Sequence, residues 1–311
     1  VNDGAETVKD FLRAFELAIA GQRLTLCTLP LVRFPLLDCL SLAECHSVRY
    51  VDVEGCGIEG GLMPLLSLPN LTYLDISNNK LRYLPVSLSQ LEVLVRLFVD
   101  NNPLLIPSPS TSPLPWLRQT AQLLAGGELR LDGCNCGKLP SEDMLDDREL
   151  GVAVVKEVNL ARNAISSFPS SFFSNWTASP FITSLDVSWN HISVLPKAME
   201  TLTSLVKLNA SYNSIHTIDG EALLPLRYLE EVSFRSNELT SIPAQLGDLP
   251  RLLTIDCRDN THLACPPPEL HKDASACRQY VERVWRWTCT GHTHLNLDGI
   301  SQLCSFPSHI L

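Results

Sequence analysis

One residue frame returns along this chain at a near-constant interval, and nothing else in the sequence limits the possible folds as sharply. Leu71, Leu74, Ile76, Asn79 and Leu81 stand in the order L-x-x-L-x-L-x-x-N-x-L. The frame recurs at Leu94/Leu97/Val99/Asn102/Leu104, Val155/Val158/Leu160/Asn163/Ile165 and Ile182/Leu185/Val187/Asn190/Ile192. It recurs again at Leu205/Leu208/Ala210/Asn213/Ile215, Leu229/Val232/Phe234/Asn237/Leu239 and Leu252/Ile255/Cys257/Asn260. The second Leu-type position falls at 24, 51, 74 and 97, then at 129, 158, 185, 208, 232 and 255, then at 295, with most steps inside a run equal to 23 or 24. A unit this short cannot bury its own apolar face, so neighbouring units must stack to make a shared core. Each unit is expected to lay one short strand on a parallel sheet with its Leu-type side chains inward, and the Asn satisfies backbone groups where the chain turns away.

The second half of the unit also has a fixed form, L-P-x-x-φ-x-x-L, as in Leu84-Pro85 to Leu91, Leu195-Pro196 to Leu202 and Ile242-Pro243 to Leu249. Together the two halves resemble the leucine-rich repeat family. The 23-residue L-P form is similar to the intracellular, Ras-interacting repeats of SHOC-type scaffolds, Ras-suppressor protein, Scribble/Erbin proteins and Roco kinases, and less similar to the extracellular receptor type. The resemblance implies an α/β leucine-rich repeat solenoid: a curved parallel β-sheet on the concave face, an irregular, 3-10 or helical convex side, and helices interposed between repeat blocks. It does not by itself establish Ras binding.

Three times a helix leads into a Gly-containing joint and a strand. The joints read Ala20-Gly21-Gln22-Arg23-Leu24, Ala125-Gly126-Gly127-Glu128-Leu129 and Thr290-Gly291-His292-Thr293-His294-Leu295, each a Gly helix stop followed by a short turn. Helices are expected from about Glu6 to Ala20, from Trp116 to Ala125 after a Pro/Ser-rich breaker, and from about Ser275 to Thr288. The organisation that follows is an N-terminal helix or cap (1–23), a first repeat block (24–107), a linker and helix (108–128), a second block (129–268), a terminal helix (269–294) and the start of a further block (295–311). The chain starts without Met and stops inside this pattern, so a longer parent protein is expected.

The formal charge of −10 without a Lys/Arg run gives no counter-charge for nucleic acid or an anionic membrane, and no stretch reaches the ~20 apolar residues of a bilayer span. The repeat places several of the 11 cysteines. Cys56 and Cys134 take the Asn position, Cys136 and Cys257 the Leu-type core positions, Cys265 the inward residue before Pro266, and Cys27 a strand. Cys39 and Cys45 precede a repeat without a tight C-x-C, so reduced thiols and a cytoplasmic location are expected, since buried free Cys acts as a small hydrophobe. The glycosylation sequons at Asn70, Asn175 and Asn209 then read as accidental, Asn209 falling on the sheet itself.

Cys289-x2-His292-x-His294, with Cys277 upstream, has zinc-site residue types, but the two His fill a joint that elsewhere reads Gln22-Arg23 and Gly127-Glu128, so neither a metal nor another cofactor is expected. No nucleophile elbow, H-E-x-x-H, phosphate loop or paired C-x-x-C occurs, and the chain is expected not to be an enzyme.

The concave face remains. In register, Tyr50 and Tyr73 align before the second Leu with Phe98 one strand on, and Asp52, Glu54, Asp75, Asp100 and Asp132 run beside them. Trp189 and Tyr212 align before the Asn, with Arg162 one strand earlier; Arg235 and Arg258 align near the other end, close to Glu231. Aromatic and Arg side chains on a rigid support anchor interfaces. The plain alternative is that single acids are merely solvated and the Tyr rings lie flat on their neighbours. The expected function is a non-catalytic scaffold or adaptor in intracellular signalling that binds a protein or peptide on this face, a basic one at its acidic part. The alternatives are the regulatory repeat region of a larger enzyme of Roco type, or an extracellular receptor fragment.

Overall fold

A computed structural model describes residues 13, 21–27, 31, 46–103, 105, 113–133, 155–168 and 179–290. Nearly all of the expected helix at 6–20, the joint and block start after Thr290, His292 and His294, and Cys39, Cys45, Cys134, Cys136 and Cys304 lie outside these residues. The described residues form two compact units, one ending at Ala125 and one beginning at Gly126.

The first unit carries a parallel sheet of four three-residue strands in sequence order, β1 (Arg23–Thr25), β2 (Tyr50–Asp52), β3 (Tyr73–Asp75) and β4 (Arg96–Phe98). The second carries six, β5 (Glu128–Arg130), β6 (Glu157–Asn159), β7 (Ser184–Asp186), β8 (Lys207–Asn209), β9 (Glu231–Ser233) and β10 (Thr254–Asp256), again in sequence order. The frame residues pair strand to strand, Leu24 with Val51, Leu74 with Leu97, Leu185 with Leu208 and Val232 with Ile255. Each such side chain is buried, as are the following Leu26, Val53, Ile76, Val187, Ala210 and Phe234.

The strands are short because the residue four places after the frame Leu leaves the extended region. Gly55, Asn78, Asn101, Gly133, Arg162, Trp189, Tyr212, Ser236 and Asp259 all have φ between 53° and 68°. The next residue is the Asn, whose side chain closes the turn. Asn79 Nδ2 donates to the carbonyls of Val53 (2.9 Å), Ile76 (3.0 Å) and Ser77 (2.9 Å), while its Oδ1 accepts from the Ile58 backbone at 2.9 Å. Asn102, Asn190, Asn213, Asn237 and Asn260 repeat this pattern. Cys56 stands in for the amide, its thiol donating to the Leu26 carbonyl at 2.8 Å.

On the far side of each unit Pro85, Pro196 and Pro243, with φ of −59°, −71° and −65°, open 3-10 turns at Val86–Gln90, Lys197–Thr201 and Ala244–Asp248. Proline fixes φ near these values, so L-P makes a short tight helix the natural continuation. Leu88, Met199 and Leu246 are buried in these turns, joined in the first by Val86 and Ser87. Asp219 caps the single-turn helix α2 (Gly220–Leu223) by accepting from the Glu221 backbone.

One helix closes each core. The helix α1 (Pro113–Ala125) starts three residues earlier than the sequence pattern suggests, because Pro113 and Pro115 fit a first helical turn, where the missing N–H has no partner anyway. It buries Leu114, Leu117, Thr120 and Leu124 on one face, packing on Val86–Gln90 and β4. The helix α3 (Ala274–Thr290) is capped by Asp273, whose Oδ1 accepts from the Ser275 and Ala276 backbones at 3.0 Å. Its buried side, Ala276, Cys277, Tyr280 and Val281, lies on β10 and on Ala244–Asp248. A Cβ on Gly247 would meet Trp285 Cβ at 2.7 Å and Val281 O at 2.8 Å, so only glycine permits this approach. Cys265 is half-buried rather than fully inward, its sulfur 3.7 Å from the Tyr280 hydroxyl, and Cys27 falls two residues after β1 rather than on it.

Candidate functional site

Every outward side chain of a strand has a neighbour at the same level on the next strand, ~4.8 Å away, so one residue type in consecutive units becomes a continuous row. In the first unit Arg23, Tyr50, Tyr73 and Arg96 share one level. The Arg23 guanidinium lies 4.0 Å from the Tyr50 ring centre, the Tyr50 and Tyr73 rings stack at 4.1 Å and 11°, and Phe98 meets Tyr73 at 5.3 Å, tilted 42°. The tyrosines do lie on their neighbours, but the neighbours are each other, which leaves the ring edges facing out.

The next level of that unit is acidic. Asp52 and Asp75 are paired across β2 and β3, and each receives the hydroxyl of the tyrosine two residues before it, at 3.4 and 3.5 Å. Asp52 also accepts from the Cys27 thiol at 3.0 Å. Burial and this carboxylate push the Cys27 thiol up to about 12, so it is not a ready nucleophile. The Tyr50 hydroxyl and partial burial push the Tyr73 phenol up to about 12, with Asp75 and Asp52 adding to it. Glu54 is tied to the Asn78 amide at 2.7 Å, whereas no described side chain reaches the exposed carboxylate of Asp100.

In the second unit Trp189 and Tyr212 stack at 4.0 Å and 10°, and Trp189 remains 51% exposed. Both occupy the left-handed turn position, as does Arg162. Elsewhere in this column stand Gly, Asn, Asp and Ser, the types that tolerate positive φ or are small; a bulky residue there is strained by roughly 1–3 kcal/mol and calls for a compensating role. Beside the stack lies an open depression of about 670 Å³ whose floor is short and polar, including Ser188, Asn209, Ser211 and Ser233. Asn209 donates to Asp186 at 3.0 Å, and the Ser211 and Ser233 hydroxyls are 2.7 Å apart.

The charges at its margin form three ion pairs. Glu231 takes Lys207 at 3.2 Å, not an arginine. Arg235 Nε donates to Asp259 Oδ2 at 2.7 Å, and Arg258 grips Asp256 through Nε at 2.9 Å and Nη2 at 2.7 Å. The pair spans the end of β10: Arg258, two residues past Asp256, folds its long guanidinium back onto the last strand residue. Burial opposes ionisation of Asp256, but the Arg258 side chain and backbone hydrogen bonds outweigh it and hold the carboxyl below its usual range. Arg23, Lys207, Asp256, Asp259 and the serine floor were not singled out from sequence, although laying the repeats in register exposes all of them.

Two stretches match family profiles, residues 70–91 to Leucine Rich Repeat and residues 178–194 to Leucine Rich repeat. The chain carries leucine-rich repeats. It is 26% identical over 238 residues to the leucine-rich repeat serine/threonine-protein kinase 1 of Mus musculus, covering 74% of this chain and 10% of that protein. It is 29% identical over 196 residues to adenylate cyclase of Schizosaccharomyces pombe, covering 61% and 10%, and 36% identical over 81 residues to geranylgeranyl transferase type-2 subunit alpha of Sus scrofa, covering 25% and 14%. The chain therefore spans only 10–14% of the length of these relatives. Among solved structures it is similar to a leucine-rich repeat protein of Leptospira interrogans (19% identity, TM-score 0.33, 74% of this chain and 57% of that one). The Toll–Spatzle complex of Drosophila gives 22% identity and TM-score 0.38 over 70% and 32%. Among the described residues no helix is long and apolar enough to cross a membrane, and no group of three or more His, Cys, Asp or Glu is arranged to hold a metal ion.

Proposed function

We propose that this leucine-rich repeat chain is a non-catalytic interaction scaffold of intracellular signalling, of the 23-residue L-P type. It binds a protein or an extended peptide on its concave faces through Tyr50, Tyr73, Phe98, Arg162, Trp189, Tyr212, Arg235 and Arg258. Asp52, Asp75 and Asp100 favour a basic segment at the first unit. The observation that carries this reading is the Trp189–Tyr212 stack, two bulky aromatics held in a strained turn position, with Trp189 open to solvent and Tyr212 half-buried. Rings fixed in this way have little freedom left to lose on binding, so more of the contact energy appears as affinity.

The test is replacement of Tyr73, Phe98 and Trp189 together by Ala, with retained secondary structure checked by circular dichroism. Partners recovered by proximity labelling with the parent chain should be lost with the variant; unchanged recovery refutes the assignment. The cytoplasmic location draws support from Cys257 and Cys277, whose buried sulfurs lie 3.3 Å apart in hydrogen-bond contact and not as a disulfide. Thiol labelling followed by mass spectrometry of the native protein should find them reduced.

A second reading, the regulatory repeat region of a larger multidomain enzyme of Roco type, is favoured by the 10% coverage of both the kinase and the cyclase relatives. The reading frame beyond Leu311 decides between them. A phosphate-binding loop supports the second reading, and further repeats support the scaffold.

A further inference from the structure

We infer that the depression on the second unit is a receptor for an acidic side chain next to an apolar or aromatic one, presented by an extended segment of a partner protein. This rests on the concave-face reading and adds the chemistry of the residue recognised. Arg235 and Arg258 sit at one level just past the ends of β9 and β10, since the Ser236 backbone donates to the Arg258 carbonyl and the strands pair Ser233 with Asp256. Each guanidinium is fixed from one side only. Asp259 holds Arg235 by Nε alone, the Tyr212 ring centre lies 5.7 Å from its Cζ, and Asp256 holds Arg258 by Nε and Nη2.

Both terminal nitrogens of Arg235 and Nη1 of Arg258 are thus left without a protein partner among the described residues, while both Asp256 oxygens and the Asp186 carboxylate are occupied by donors. The arginine fork keeps unused donors, against unused carboxylate oxygens at Asp259 Oδ1 and Glu231 Oε1. A carboxylate complements an arginine fork of fixed orientation better than any neutral group, and the acids behind the fork lower the entropy lost in aligning it. Those same acids cancel the field at long range, so recognition acts at contact distance and depends weakly on salt. The stack beside the fork accounts for the apolar neighbour: the residue adjacent to the carboxylate reaches Tyr212 and Trp189. The first unit presents the opposite polarity, with Asp100 open and Asp52 and Asp75 in a row.

The probe is a set of acetylated, amidated, fluorescent peptides with one Glu, Gln or Lys beside one Trp, Leu or Gly in a Gly-Ser background, read by anisotropy on the whole chain. Peptides with Glu beside Trp or Leu should bind about tenfold or more tighter than their Gln and Lys counterparts, as a charge-assisted bidentate contact implies. The Arg235→Gln/Arg258→Gln variant should lose this preference and keep the Trp dependence. If Glu and Gln bind alike while the Trp dependence survives, the carboxylate inference fails and the concave-face reading stands. If no peptide binds, or if Trp189→Asn/Tyr212→Asn leaves every affinity unchanged, both fail.

Discussion

Replacing Trp189 and Tyr212 by Asn should leave the second unit more stable, although it removes the largest aromatic contact on that face. Both residues hold φ near +55°, where a side chain with a Cβ costs about 1–2 kcal/mol and Asn costs least after Gly. Asn78 and Asn101 already fill the same position in the first unit at φ 54°. If Asn relieves about 1 kcal/mol at each site and loss of the stack costs about 0.5–1.5 kcal/mol once, the double Asn variant gains about 1 kcal/mol. The double Ala variant loses the stack without relief and falls by about 1 kcal/mol, so the two variants should differ by about 2 kcal/mol. Urea unfolding followed by circular dichroism, compared by midpoint at unchanged slope, measures this difference. A double Asn midpoint at or below that of double Ala would show that the turn position holds no strain, and the argument that these rings are kept for binding would collapse. A raised midpoint together with lost peptide binding is the signature of a residue retained against stability.

Three further outcomes follow from the packing and the titrating groups. Asn213→Ala leaves the buried Ile192 N–H without its partner, at about 1–3 kcal/mol, while the Val187, Ala210 and Ser211 carbonyls keep Asn190 Nδ2, Asn237 Nδ2 and the Trp189 N–H; native-state hydrogen exchange should show the Ile192 amide losing protection first. Gly247→Ala drives a methyl into the backbone of α3 and should cost about 1–3 kcal/mol, with exchange rising along Ala274–Thr290 while the first unit is unaffected. The Tyr73 phenol, ordinarily near 10, should titrate near about 12 by phenolate absorbance, and Tyr50→Phe should bring it down because the Tyr50 hydroxyl is the largest cause. A raised acid pKa means that the neutral form is favoured in the folded state, so this contribution to stability is complete below pH 10 and disappears as pH rises to about 12. A Tyr73 midpoint unmoved by Tyr50→Phe would reject that cause.

The fold was legible because its information is redundant. Each of Leu185, Leu208 and Val232 alone is an ordinary apolar residue, but at steps of 23 and 24 they can only face one way, and the buried rows follow. The start of α1 was less legible, since Pro113 and Pro115 are breakers in the interior of a helix and starters at its first turn, and periodicity alone does not distinguish these uses. The Gly247 approach could not be read at all. It depends on how far α3 descends onto Ala244–Asp248, a tertiary distance with no local signal.

The concave face was legible as rows and not as pairings, for a physical reason. Register fixes which side chains are neighbours, but a guanidinium spans several strand positions and chooses its acid by rotamer. Arg235 thus went to Asp259 and Arg258 back to Asp256 at the end of β10, while Glu231 took Lys207. Those choices matter more than the total of −10, which favours basic partners everywhere. Where acids accept from tyrosine hydroxyls, as Asp52 and Asp75 do, the carboxylates keep capacity and their row attracts cations. Where an acid is consumed by an arginine, as Asp256 is, the unsatisfied groups left over are donors, and an acidic protein can hold an acidic ligand there. Net charge sets what approaches a surface from a distance, whereas the unpaired hydrogen-bonding groups decide what stays.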